Sequence, residues 1–139
     1  MKKVAISGGF DPIHKGHIRL IKEARKLGDY LIVILNNDNW LKKKKGKIFM
    51  DEDERKEILE AIGGVNAVFV SIHPQSCIDM SVSKEIEILL PDIFANGGDR
   101  TSKNTPEKEI CRKLNIPMIF NVGGTKVQSS SELLKDYAD

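Results

Sequence analysis

The sequence predicts an α/β fold: a Rossmann-like, doubly wound, five-stranded parallel sheet with helices on both faces, forming one domain over residues 1–139. Two observations carry this. Short runs rich in β-branched and aromatic residues alternate with longer stretches that repeat apolar residues at helical spacing, in the order β-α-β-α-β-α-β-α-β-α. The run YLIVIL at 30–35 is apolar throughout, the mark of a central strand covered on both faces. The length, 139 residues, suits a single core, and no repeat, linker or low-complexity segment divides it.

In order along the chain, residues 3–7 (KVAIS) form the first strand. Ile18, Leu20, Ile21, Ala24 and Leu27 place a helix over 16–27 that Gly28 stops. After the strand at 30–35 comes a lysine run (Lys42, Lys43, Lys44, Lys45, Lys47), read as a mobile loop. Asp51 caps a helix with apolar positions Ile58, Leu59 and Ile62, and Gly63-Gly64 ends it. Residues 67–71 are a third strand, 83–90 a helix stopped by Pro91, and 92–95 a fourth strand. Pro106 suits the first turn of a helix to about residue 114. Residues 117–121 form the fifth strand and 129–137 a last short helix.

Hydrophobic residues make up 40% of the chain and charged residues 30%, a soluble composition. No apolar run reaches the roughly 18–20 residues that span a bilayer, and the apolar run after Lys3 is too short for a signal-peptide core, so the expectation is a cytoplasmic protein with no membrane partner. The net charge of +2 gives no case for nucleic-acid binding, and no aromatic stacking set accompanies the lysine run. Trp40 reads as a packing anchor. Cys77 and Cys111 read as isolated thiols.

In this architecture ligands sit beyond the carboxyl ends of the strands. The first such loop is GGFDPIHKGH, residues 8–17; later ones carry Asn36-Asn37-Asp38, NGGDR at 96–100, and Gly123-Gly124 followed by Ser129, Ser130 and Ser131. Glycine admits close approach of a bulky anion, lysines neutralise it, and serines at a helix start add donors. His14 and His17 admit three readings: metal ligands, phosphate donors, or bystanders in a turn. Zinc wants three or four protein ligands, and His73 is the only other histidine. A polyphosphate fits the whole set better. The loop is neither a Walker loop nor G-x-G-x-x-G.

The H-x-G-H pattern His14-Lys15-Gly16-His17 between a strand and a helix resembles the signature of the cytidylyltransferase-like nucleotidyltransferase superfamily. The helix and strand at 19–38, the arginine-bearing helix with Arg55, and SSSELL at 129–134 are similar too, so the resemblance covers nearly the whole chain. It implies transfer of NMP from an NTP to a phosphorylated small molecule, with pyrophosphate leaving and Mg²⁺ on the phosphates. His14, His17, Lys44 (or Lys45) and Arg55 are then the catalytic candidates. Gly8, Gly9, Phe10, Asp11, Gly97, Gly98, Asp99, Ser129, Ser130 and Ser131 are the nucleotide-binding ones, Asp11 lying near the acceptor or the metal. Each has a plainer reading: Arg55 as a surface ion pair, Asp99 as a turn residue, Ser129 as a helix cap. Heptose-phosphate adenylyltransferases, which serve lipopolysaccharide core biosynthesis, and glycerol-3-phosphate cytidylyltransferases are the two subfamilies it resembles. Cytidylyltransferases carry R-T-E-G-I-S-T-T near the end, where this chain has NVGGTKVQSSS, so ATP and a sugar phosphate are favoured. CTP with a polyol phosphate, an FAD synthetase, and a non-catalytic nucleotide-binding module stay open. The resemblance also implies a homodimer, with 51–62 and 72–82 as candidate contacts.

Overall fold

A computed structural model of the chain describes residues 1–98 and 104–124. Five strands, β1 (Lys3–Gly8), β2 (Tyr30–Leu35), β3 (Ala67–Val70), β4 (Ile93–Ala95) and β5 (Met118–Ile119), form one sheet in the order β3-β2-β1-β4-β5. Every neighbouring pair is parallel. The chain winds outward from β1 to β3, then crosses to the other side of β1 for β4 and β5. The change of direction lies between β1 and β4, so ligand is expected at the carboxyl ends of these strands.

The helices are α1 (Lys15–Arg25), α2 (Asp38–Lys45), α3 (Glu52–Glu60), α4 (Ser83–Leu89) and α5 (Lys108–Lys113). Alternate residues of each strand feed two cores. Val4, Ile6, Leu31, Val33 and Leu35 meet Ile21 and Ala24 of α1 and Leu59 of α3 on one face. Ala5, Ile34 and Phe94 meet Ile86 of α4 and Cys111 of α5 on the other. The two-faced burial expected of the run at 30–35 is present: its residues from Leu31 onward are all buried.

Element boundaries differ from expectation by a residue or two, except at the lysine run. There the chain is helical, not a loop. Asn37 Oδ1 accepts from Trp40 N–H at 3.0 Å and caps α2, Leu41 anchors it, and Gly46 at φ 81° ends it. Lys42, Lys43, Lys44 and Lys45 occupy its last turn, where the negative end of the helix dipole favours them, and Lys47 lies beyond it. The expected helix at 129–137 lies outside the described residues.

Candidate active site

The glycine-rich loop opens where β1 ends. Phe10 has φ 51°, a left-handed conformation that strains a bulky residue by about 1–2 kcal/mol. The turn buries its ring (2% exposed) in the α1/α3 core, 4.7 Å from the His17 ring. A Cβ on Gly8 would stand 3.1 Å from the Phe10 ring, and one on Gly9 would stand 3.0 Å from Leu41 Cδ2. At both glycines an added side chain would press on a neighbour, so the loop packs tightly here.

His14 and His17 start α1. Nδ1 of His14 accepts from Gly16 N–H at 3.1 Å, and Nδ1 of His17 accepts from the His14 N–H at 3.2 Å, a capping box built from two imidazoles. The rings stack with centroids 3.9 Å apart. Because each Nδ1 is an acceptor, each neutral ring carries its proton on Nε2, on the edge away from the helix end. The first turn of α1 holds no acidic residue to offset the helix dipole. The arrangement presents two imidazole N–H donors beside the positive end of a helix, a match for developing charge on a phosphoryl oxygen.

Arg55, expected to help at the phosphates, is placed elsewhere. Its side chain is fully buried. Nε donates to Met50 O at 2.9 Å, Nη1 to Gly9 O at 2.7 Å and Asn36 O at 2.6 Å, and Nη2 to Asp38 Oδ1 at 2.7 Å. The guanidinium thus fastens the glycine-rich loop, the end of β2, the start of α2 and the entry to α3, and acts as a positioning residue. It has no exposed surface for a phosphate, and it is not the surface ion pair of the plainer reading.

Asp11, expected beside the acceptor or a metal, is likewise buried. Its two carboxylate oxygens accept from Phe49 N–H at 2.8 Å and Met50 N–H at 2.7 Å and hold the 46–50 segment against the loop. Lys44 is exposed; Lys45 is half-buried and donates from Nζ to Asp11 O at 3.4 Å, so Lys45 is the lysine turned toward the loop. Trp40 donates its indole N–H to Met80 O at 2.8 Å, consistent with an anchor.

A Cβ on Gly97 would meet open space, whereas one on Gly98 would collide with Gly124 O. The loops after β4 and β5 therefore touch. Asp99 and Ser129, Ser130 and Ser131 lie outside the described residues. His73 is buried, with Nδ1 bonded to Ser71 Oγ at 2.7 Å and Nε2 to Ser81 O at 2.8 Å. It braces the segment 71–82, and among the described residues no cluster of three His, Cys, Asp or Glu could hold a metal ion. No described helix is long and apolar enough to cross a membrane. Burial pushes the Cys111 thiol up to about 11, with Glu107 adding to the effect, so it is an unreactive core group.

Sequence reasoning named Asn36, Asn37 and Asn96 only as loop residues. Their signal was positional, since each lies just beyond a strand end. Asn37 caps α2 and also donates through Nδ2 to Ser71 O and His73 O, at 3.0 and 2.8 Å.

Known proteins resemble the chain over most of its length. FAD synthase of Ferroglobus placidus is 37% identical over 116 residues, 84% of this chain and 72% of that protein. Glycerol-3-phosphate cytidylyltransferase of Bacillus subtilis is 33% identical over 132 residues, 92% of this chain and 95% of that protein. The crystal structure of the lipopolysaccharide core biosynthesis protein from Thermoplasma volcanium GSS1 superposes with a TM-score of 0.69 at 28% identity, covering 92% and 99% of the two chains. With the cytidylyltransferase-like family model matching residues 5–129, and the paired histidines lying at the strand-to-helix turn within that span, the chain belongs to this family of nucleotidyltransferases.

Proposed function

We propose that the chain transfers a nucleoside monophosphate from an NTP, ATP by preference, to the phosphate of a sugar, and releases pyrophosphate. The observation that carries this reading is the pair of stacked imidazoles whose Nε2 protons are fixed by the start of α1. An acceptor phosphate oxygen attacks the α-phosphorus in line, and the bond from the α-phosphorus to the bridging oxygen breaks as pyrophosphate leaves. His14 and His17 donate to the oxygens on which charge builds, and the start of α1 adds its dipole. Lys45 stands where the 46–50 segment meets the loop, and we assign it, rather than Lys44, to the triphosphate. Mg²⁺ arrives with the NTP as part of the substrate, held by phosphate oxygens and water.

ATP comes first because residues 121–131 lack the arginine and glutamate of the cytidylyltransferase motif. The sugar phosphate draws support from the lipopolysaccharide core biosynthesis protein. CTP with a polyol phosphate is the second reading, favoured by the nearly full-length match to glycerol-3-phosphate cytidylyltransferase. The match to FAD synthase favours a third, ATP with FMN. A homodimer in the cytoplasm is part of the proposal.

The test is pyrophosphate release with Mg²⁺ for each of four NTPs against sugar, polyol and flavin phosphates. Release that needs ATP and a sugar phosphate supports the first reading, and release with another pair replaces it. Tight NTP binding without release from any pair would make the chain a nucleotide-binding module.

A further inference from the structure

A row of neutral polar side chains lies at the carboxyl ends of the three central strands. Gly8 pairs with Leu35, and Ala5 with Phe94. Extending each ladder puts Asn36 beside Gly9 and Asn96 beside Ser7. Ala5, Ile34 and Phe94 face the α4/α5 core, so strand alternation turns Ser7, Asn36 and Asn96 to that same side. Asn36 and Asn96 are 4% and 5% exposed. Asn36 Oδ1 and Asn96 Nδ2 are fully buried and have no hydrogen-bond partner. The next residue of the row shows the contrast: Ser71 Oγ accepts from Asn37 N–H at 2.9 Å and also bonds His73.

The two amides cannot relieve this by shifting their backbones. Asn36 N–H donates to Gly8 O at 2.9 Å, and its carbonyl accepts from Arg55. Asn96 N–H donates to Ile119 O at 2.7 Å, and its carbonyl accepts from Val122 N–H at 2.9 Å. A buried polar atom without a partner is costly and uncommon, and a site where ligand supplies the partner accounts for two of them at one sheet edge.

We propose that Asn36, Asn96 and Ser7 read the hydroxyl groups on the carbon chain of the acceptor. The inference rests on the nucleotidyl-transfer reading and specifies the acceptor class. One orphan is an acceptor and the other a donor. Either amide can turn to present its other end, but as they stand only a group that both donates and accepts serves the two of them alike. A hydroxyl group both donates and accepts, so a polyhydroxylated chain satisfies both. The main chains of β2 and β4 stand about 10 Å apart with β1 between them, and Ser7 offers a hydroxyl on that middle strand. Sugar phosphates, polyol phosphates and the ribityl chain of FMN share this chemistry.

The test uses the full chain with Asn36→Leu, Asn96→Leu and Ser7→Ala. Replacing an unsatisfied buried amide by an apolar group of similar size raises the thermal midpoint of the ligand-free protein by roughly 2–5 °C. The acceptor KM rises roughly tenfold in each Leu variant, as loss of one hydrogen bond predicts, and the NTP KM moves much less. Deoxy acceptors weaken binding to the wild type, and they weaken it less in the variants. If a Leu variant does not fold, Ser7→Ala and the deoxy series on the wild type decide the matter. Wild-type turnover with unchanged acceptor KM in the variants, or with no preference for hydroxylated over deoxy acceptors, overturns the subsite and leaves the transferase reading standing. Absence of wild-type turnover and of any thermal shift with hydroxylated phosphates overturns both.

Discussion

Helices α1 and α3 pack on the same face of the sheet, yet their starts have opposite electrostatics. Helix α3 is capped by Asp51, whose carboxylate accepts from Glu54 N–H at 2.8 Å, and Glu52, Asp53 and Glu54 fill its first turn. It neutralises its own dipole. Helix α1 is capped by imidazoles, and no acid lies in its first turn. The nitrogen donors nearby follow the same division. Arg55 directs its donors inward to three carbonyls and Asp38, whereas His14 and His17 use Nδ1 for the helix start and keep the Nε2 protons on the opposite edge. One start is closed by its own acids. The other is capped by imidazoles and has no acid in its first turn.

The sharpest way to break this contrast is at Arg55. Arg55→Ala leaves three carbonyls and Asp38 without their donor and opens a cavity, so stability should fall by about 3–5 kcal/mol in urea unfolding. Arg55→Lys should recover only part of it, since a point charge cannot reproduce the fork. A stable Arg55→Ala protein that loses only turnover would return the arginine to the substrate.

The next test separates the two roles of the histidines. His14→Ala and His17→Ala should each lower turnover by about 10²–10³. His14 also caps α1, so His14→Ala should cost about 1 kcal/mol of stability as well. His14→Asn restores the cap without the Nε2–H donor. Near-normal stability with turnover still depressed is the expected result. Recovery of turnover would make His14 a cap only.

Asp11→Ala should have a smaller effect. It removes the acceptors for Phe49 and Met50 N–H and should speed proteolysis within 46–50 and raise the NTP KM several-fold, with about 1–3 kcal/mol lost. The smallest effect belongs to Asp79. The Ser81 hydroxyl and N–H hold its carboxyl below the usual range. A carboxyl with a depressed folded-state pKa contributes stability above its unfolded value and loses it as pH falls through the folded value. Asp79→Asn should therefore flatten acid unfolding slightly below about pH 4, and leave stability at pH 7 a little lower. An unchanged acid limb would show that the Ser81 contacts add nothing to folding.

The strands were legible because burial imposes pattern: five of the six residues of β2 are buried, and the sequence there has no charged residue to hide. Helix α2 was missed for the converse reason. It buries one residue, Leu41, so no apolar period announces it, and its evidence is a cap, an acid and a terminal glycine. Arg55 was misplaced because its partners come from three separate segments, at 9, 36–38 and 50, and the acids nearest in sequence are not among them. The histidine motif was legible as a site, but its capping role depends on ring orientation, which spacing does not encode.

Asn37 joins two regions that the sequence keeps apart. Its Oδ1 starts α2, and its Nδ2 holds the carbonyls of Ser71 and His73. Helix and segment therefore share one latch. In amide hydrogen exchange they should behave as a single cooperative unit, gaining or losing protection together, so order imposed on the lysine-bearing helix after β2 is felt in 71–82 after the neighbouring strand β3.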